Sequence, residues 1–263
     1  MGEPAIGNNS VVVVDLEESW GDAKASPVGR KISVVECSLL PTQALSVNPS
    51  LRASFNPSKP FLGQPKAQGA ITLVPNLQVL PFFQKLFTGT LVKTGAADPW
   101  LGTSKLGTAF PKSAVIESSF DIGGTVKYAR GSGIRINGWT IPIAFEGPLQ
   151  MSLDAMAKNV TFEDTPYDST PVDWTVQDPL EHMQLISGFV KIGGSAVGYV
   201  KGGQLQHSAN LNGEDFRVGL LGRGSLTPKT YGINGNLTIA LESVAAMTLI
   251  TGGAPTDLEF KWL

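Results

Sequence analysis

Any chemistry in this chain would come from a short stock of reactive side chains: His182, His207, Cys37 and three adjacent carboxylate pairs. A Ser-His-Asp hydrolase needs its serine on a tight strand-to-helix turn, and no Gly-x-Ser-x-Gly frames one here. Gly131-Ser132-Gly133 reads instead as turn residues between strands. The two histidines show neither i, i+2 nor i, i+4 pairing, so no regular element aims both imidazoles at one metal ion. His207 alternates with Leu205 and Ala209, which makes it a core or interface residue, and His182, after Glu181, reads as a surface residue. A glycosidase needs two carboxylates facing one another across a cleft. Glu17-Glu18, Glu163-Asp164 and Glu214-Asp215 are adjacent pairs, which a strand would point to opposite faces, and they read as solvated loop ends. Gly123-Gly124, Gly193-Gly194 and Gly202-Gly203 match no phosphate-binding loop and read as β-turns. Cys37, beside Val34 and Val35, reads as a small buried hydrophobe. Trp20, Trp100, Trp139, Trp174 and Trp262 are spread over the chain rather than gathered in a sugar-binding stripe, and are expected to anchor the core or interfaces. No catalytic residue, cofactor or metal site is expected, and the chain does not read as an enzyme.

The polypeptide that must position these residues has 263 residues, of which 16% are charged, against about 25% in an average soluble domain. Its formal net charge is -2, which excludes a basic nucleic-acid-binding surface. It holds 30 Gly and 18 Pro, about 18% of the chain against a background of about 12%, as in turn-rich β proteins. One cysteine excludes a disulfide scaffold. The first residues lack a basic segment followed by an apolar run, Ile6 breaks the myristoylation pattern, and no window approaches the roughly 20 apolar residues of a spanning helix. The expectation is a soluble protein made in a cytoplasm. A mean hydropathy of +0.07 with so few charges suggests surface that partners cover.

Hydrophobic patterning gives the elements. Val11 to Leu16 and Arg30 to Cys37 read as strands, and Ala70 to Val74 as a short one. Residues 41–69 contain five prolines and no period, and read as a long irregular loop whose Leu51, Phe55, Phe61 and Leu62 have no periodic home in their own domain. Asn76 to Phe87 reads as a helix capped by Asn76 and stopped by Gly89, with Leu77, Leu80, Phe83 and Phe87 on one face. Residues 91–112 and 162–182 read as further irregular segments. From Lys112 onward the pattern is β: Ala114 to Phe120, Thr125 to Tyr128, and alternating runs around Ile134, Ile141, Leu149, Leu205, Leu237 and Leu258. Asn137-Gly138 is the strongest hairpin signal, with Asn212-Gly213 and Asn234-Gly235 as two more. Val244 to Ile250 is a second short helix candidate. These elements predict one all-β domain over residues 1–263, a mainly antiparallel sandwich or barrel with one or two short helices. Its strands carry uncharged polar residues on their second face, as suits a partner or a wet channel.

In this order the elements resemble the tail tube (major tail) proteins of long-tailed bacteriophages and related tail-like particles. The likeness lies in Leu16-Glu17-Glu18-Ser19-Trp20-Gly21, then Gly69-Ala70-Ile71-Thr72-Leu73 to Phe87-Thr88-Gly89. It continues through Tyr128-Ala129-Arg130-Gly131-Ser132-Gly133-Ile134-Arg135-Ile136 with Ile141-Pro142-Ile143-Ala144-Phe145, and Ala209-Asn210-Leu211-Asn212 before Gly235-Asn236-Leu237-Thr238-Ile239. The resemblance implies a structural virion protein. Hexameric rings would stack into a hollow tube, strands of all subunits would join one barrel around the lumen, and genome DNA would pass through it into the host. It implies a tape-measure protein, a tail terminator and a distal-tail or baseplate protein as partners. DNA would be met only in transit, without sequence-specific binding, and no membrane is implied. The location implied is the virion tail, assembled in the bacterial host cytoplasm. The lumen face is expected to be neutral to acidic, and Leu51, Phe55, Phe61 and Leu62 are expected to make self-assembly contacts with an adjacent subunit or ring. The competing readings are a monomeric β-sandwich carbohydrate-binding or other tail appendage module, and a terminator or distal-tail protein of similar fold.

Overall fold

The structure, a computed structural model, describes residues 11–46, 60–94, 101–105, 109–144, 147–176, 190–192, 195–196, 199–240 and 258–260. Its strands are β1 (Val12–Leu16), β2 (Arg30–Ile32), β3 (Val34–Cys37), β4 (Leu40–Ser46), β5 (Phe61–Leu73), β6 (Val92–Thr94), β7 (Leu101–Thr103), β8 (Ala114–Ile122), β9 (Thr125–Ile143), β10 (Met151–Ala157), β11 (Asn159–Glu163), β12 (Val172–Asp173), β13 (Val190–Ile192), β14 (Ser195–Ala196), β15 (Tyr199–Ser208), β16 (Gly232–Ala240) and β17 (Leu258–Phe260). The one helix among the described residues is α1 (Val79–Thr88). The class expected from the sequence, an all-β, mainly antiparallel sandwich, is the class observed.

Strand β9 organises the molecule. Its first half pairs with β8 on one edge and β11 on the other, and its second half pairs with β15 and β10 on the same two edges. From β8 the sheet runs outward through β1 and β2 to β12, and from β10 through β5 to β3 and β4. The strand at Arg30 to Cys37 serves both halves. Arg30–Ile32 pairs with β1, Ser33 interrupts, and Val34–Cys37 pairs with β5. The inward residues of both halves, among them Val14, Ile71, Ile116, Ile136 and Leu153, share one core with Leu86 and Phe87 of α1.

Several local expectations are corrected. Asn137-Gly138 is not a hairpin turn, because β9 runs straight through it; a register shift opposite Asp154/Ala155 absorbs the extra residue. Its side chains do other work there. Asn137 Oδ1 accepts from Leu211 N–H at 2.8 Å and its Nδ2 donates to Asp154 at 2.6 Å. A Cβ at Gly138 would meet His207 O at 2.6 Å, so glycine lets β15 approach. Asn234-Gly235 likewise lies within β16, and Asn212 makes an isolated bridge to Thr227. The two-residue turn is Gly123-Gly124, where φ of +59° and +84° gives the mirror-image turn that suits twisted strands. Gly131-Ser132-Gly133 sits inside β9 at a second irregularity, with Gly133 at φ +62°.

The segment 41–69 is also not a structureless loop. Residues 40–46 pair with 61–68 as a two-stranded arm, and 91–112 contains the β6–β7 ribbon. An arm exposed on both faces needs no hydrophobic alternation, and its edge strand tolerates Pro41. Of residues 162–182, Phe162 and Glu163 complete β11 and Val172 pairs with Arg30 in parallel. The helix begins at Val79 with Gln78 at its N-cap, two residues after the Asn76 expected there, and stops at Gly89 as expected. Asn76 Oδ1 accepts from the N–H groups of Gln78 and Val79, and Gly89 ends it at φ +81°. The buried face is Val79, Phe82, Phe83, Leu86 and Phe87, while Leu77 is exposed. The helix candidate at 244–250 lies outside the described residues.

One face of β1 and β8 carries buried charge that the sequence did not suggest. Asp15 is fully buried and bonds Lys24, Arg30, the Val28 N–H and the Tyr167 hydroxyl. Beside it Glu117 takes Arg130 Nε at 2.7 Å and the Tyr167 N–H at 2.8 Å. Glu17 is no solvated loop end: it is buried and accepts from the N–H groups of Gly21 and Gly133. Burial, with the Asp15 charge next, pushes the Tyr167 hydroxyl up to about 12 from its ordinary 10. A raised folded-state value means that this contribution to stability is complete below pH 10 and disappears as pH climbs to about 12. The stability difference between wild type and Tyr167→Phe is therefore expected to be constant below pH 10 and to shrink between pH 10 and 12. Thermal melts across pH 8–12 check this, and a constant difference would contradict it.

Candidate assembly and lumen surfaces

Two surfaces of the fold are built in a way that a solitary soluble domain does not require. The first is the β4–β5 arm. Beyond Ala67, where β10 ends, β5 pairs only with β4. Phe61 and Leu62 lie at the far end of its described part, 60% and 69% exposed, with Leu45 exposed across from them. Of the four residues expected to make assembly contacts, these two are thus brought together on a projecting ribbon; Leu51 and Phe55 lie outside the described residues. No Lys, Arg, Asp or Glu occurs from Leu40 to Ser46 or from Phe61 to Pro65.

The second surface is the outward face of the sheet half formed by β5, β10, β9, β15 and β16. Registered partners share a face. Thr72 lies opposite Ser152, Ser152 opposite Thr140, Thr140 opposite Gln206 and Gln206 opposite Asn234. The next row runs from Ala70 through Asp154 and Gly138 to Ser208. A shallow pocket of about 170 Å³ opens there, lined among others by Thr140, Ser152, Asp154, Gln206 and Ser208. These two rows are amides, hydroxyls and small residues with one acid, Asp154. At the free margin, β16 is paired on one side only among the described residues, its nine residues contain neither charge nor proline, and Ile233 is 65% exposed. A long uncharged edge is what isolated proteins avoid.

The residues weighed for chemistry are dispersed or structural. His207 is buried against Phe87, Trp139 and Tyr231, and burial lowers its pKa, so it is a neutral packing residue. Cys37 is partly buried and burial pushes its thiol up, away from reactivity. Asp164 pairs with Lys127, Glu214 with Lys66 and Asp215 with Arg217. The Lys66 and Arg217 partners hold Glu214 and Asp215 below the ordinary carboxylate range. Trp20 donates to the Gly133 carbonyl, and Trp174 meets Phe82 edge to face beneath the Arg30 guanidinium. His182, Trp100 and Trp262 lie outside the described residues. Among the described residues no group of three His, Cys, Asp or Glu could hold a metal ion, and no helix is long and apolar enough to cross a membrane.

Sequence reasoning missed the buried arginines. Arg223 is 1% exposed and donates to the carbonyls of Ala67, Ala157 and Gly213 and to Gln68 Oε1. Burial lowers its pKa while Glu214 acts the other way. Arg135 donates to Leu226 O and lies over the rings of Phe110 and Trp20.

The fold and these surfaces define a structural β-sandwich subunit with uncharged surface left uncovered. The chain matches the phage tail tube protein family over residues 7–263, nearly its whole length, and belongs to that family. It is accordingly a structural protein of the bacteriophage tail, in a family whose members are not enzymes. A search of curated proteins found no match.

Proposed function

We propose that this chain is the major subunit of the tail tube, that its copies close into hexameric rings, and that stacked rings conduct phage DNA into the host. The observation that carries the reading is the polar face of β5, β10, β9, β15 and β16, whose two registered rows hold one acid and no cation and which we assign to the lumen. Amides and hydroxyls keep such a channel wet, and the rows around Thr140 and Asp154 offer no cation to hold passing phosphates. The edge of β16 that is unpaired among the described residues is the margin through which one copy continues the sheet of the next, so that a closed barrel leaves no edge open. The arm, with Leu51, Phe55, Phe61 and Leu62, packs on an adjacent subunit or ring. A tape-measure protein fills the lumen during assembly in the host cytoplasm, and terminator and distal-tail or baseplate proteins bound the tube. DNA is met only in transit, and no cofactor or membrane is involved.

Negative-stain electron microscopy of the purified protein, held concentrated for several days, tests this. Hollow tubes of uniform width with six-fold end views are the expected result. Solid filaments, or rings of another symmetry, would overturn it.

A further inference from the structure

The loop 216–223 joins two properties that rarely occur together: its ends are braced by hydrogen bonds and its tip is apolar. Val218 is 106% exposed and Leu221 70%, with Leu220 beside them. The turn is shaped by glycines at φ +84° (Gly219) and +90° (Gly222), and Phe216 and Arg223 bridge its ends. Asp215 ties the flanks by accepting from Arg217 and from the Ser225 hydroxyl, and Gly224 N–H donates to Asp215 O at 2.7 Å. A flexible loop would lose conformational freedom on docking, and one held in this way has less left to lose. Aliphatic side chains held out in water mark a contact surface.

The loop also has a definite address. Arg223 bonds Ala67 and Gln68, and Lys66 pairs with Glu214 and lies over the Phe216 ring, so the loop stands beside the root of the β4–β5 arm. The arm's apolar residues Phe61 and Leu62 lie about 20 Å away along the strand, at about 3.3 Å per residue. One chain therefore carries two different apolar patches, an uncharged one on the arm and one at its root that is flanked by the Arg217–Asp215 and Lys66–Glu214 pairs. A head-to-tail contact that repeats into an open filament needs two such distinct patches on each molecule. We infer that the loop 216–223 of one copy receives the arm of a second copy of this chain, so that Phe61 and Leu62 of each arm pack against the root of the next. The inference rests on the tube reading and names the surface on which the arm docks.

Two variants test it. Val218→Asp combined with Leu221→Asp alters only exposed side chains and is expected to leave the melting curve unchanged while raising the concentration needed for polymerisation at least tenfold. In a Cys37→Ala background, Leu62→Cys with Leu221→Cys is expected to give a ladder of covalent oligomers when assembled tubes are treated with a short bismaleimide. The same protein diluted to monomers should give no ladder. Tubes that form normally from the double aspartate variant, and cysteine tubes without a ladder, would overturn this inference and leave the tube reading standing. Failure of the wild type to form tubes at all would overturn both.

Discussion

Replacing Arg223 with Met lowers the melting temperature by about 10 °C, a loss of about 3 kcal/mol. Met fills a similar volume, so the loss comes from the acceptors left behind rather than from a cavity. The guanidinium reaches three carbonyls that belong to three separate segments: Ala67 in β5, Ala157 in β10 and Gly213 before the 216–223 loop. Without it these oxygens lose a charged donor, and each buried group left unsatisfied costs about 1–3 kcal/mol. Arg223→Lys should recover little, because one ammonium on a flexible stem cannot reproduce the planar fork that spans three acceptors. Thermal melts of both variants decide the matter: a shift below about 3 °C for Arg223→Met would show that solvent enters and satisfies the carbonyls.

That arginine also marks where sequence reading stops. The all-β class, the helix with its Gly89 stop, and the Gly123-Gly124 turn were legible because each depends on residues close in the chain. Buried charges were not, because their partners are far away: Glu17 bonds Gly133, 116 residues on, and Arg223 bonds Ala67, 156 residues back. A carboxylate next to another in sequence reads as solvated until a remote N–H is found to hold it. Asn137-Gly138 misled for a related reason. The pair favours a turn in isolation, yet here the amide is used sideways, between β10 and the segment after β15, and glycine is needed for strand proximity rather than for positive φ. The arm escaped notice because the periodic signal comes from burying one face, and β4 buries none of its residues. Phe61 and Leu62, read as residues without a periodic home, are exposed on this arm. Val218 and Leu221 gave no such signal, since three aliphatic residues among glycines look like an ordinary short strand.

Tubes assembled from Gln206→Arg are expected to bind DNA that wild-type tubes release. Gln206 is exposed on β15, between Thr140 of β9 and Asn234 of β16, at the middle of the face assigned to the lumen. An outward position on a strand accepts arginine without disturbing the core, so folding and polymerisation should survive. In a six-fold ring the change places six guanidinium groups around one circumference. Six phosphate contacts lose about 10³ in affinity between 50 and 200 mM salt, so the bound DNA should come off steeply as salt rises. Wild-type tubes, with Asp154 as the one charge in the two rows around this position, should hold no labelled duplex even at low salt. The location of the bound DNA matters more than its amount. DNA enclosed by the lumen is shielded from nuclease, whereas DNA on the outer wall is cut, and Leu77→Arg, which adds the same charge at an exposed residue before α1 and outside the registered rows of this face, supplies the comparison. Nuclease-resistant DNA in Gln206→Arg tubes alone fixes this sheet face as the lining of the channel. DNA cut equally in both variants would move the lumen to another face of the subunit, and with it the explanation for so many amides and hydroxyls in register.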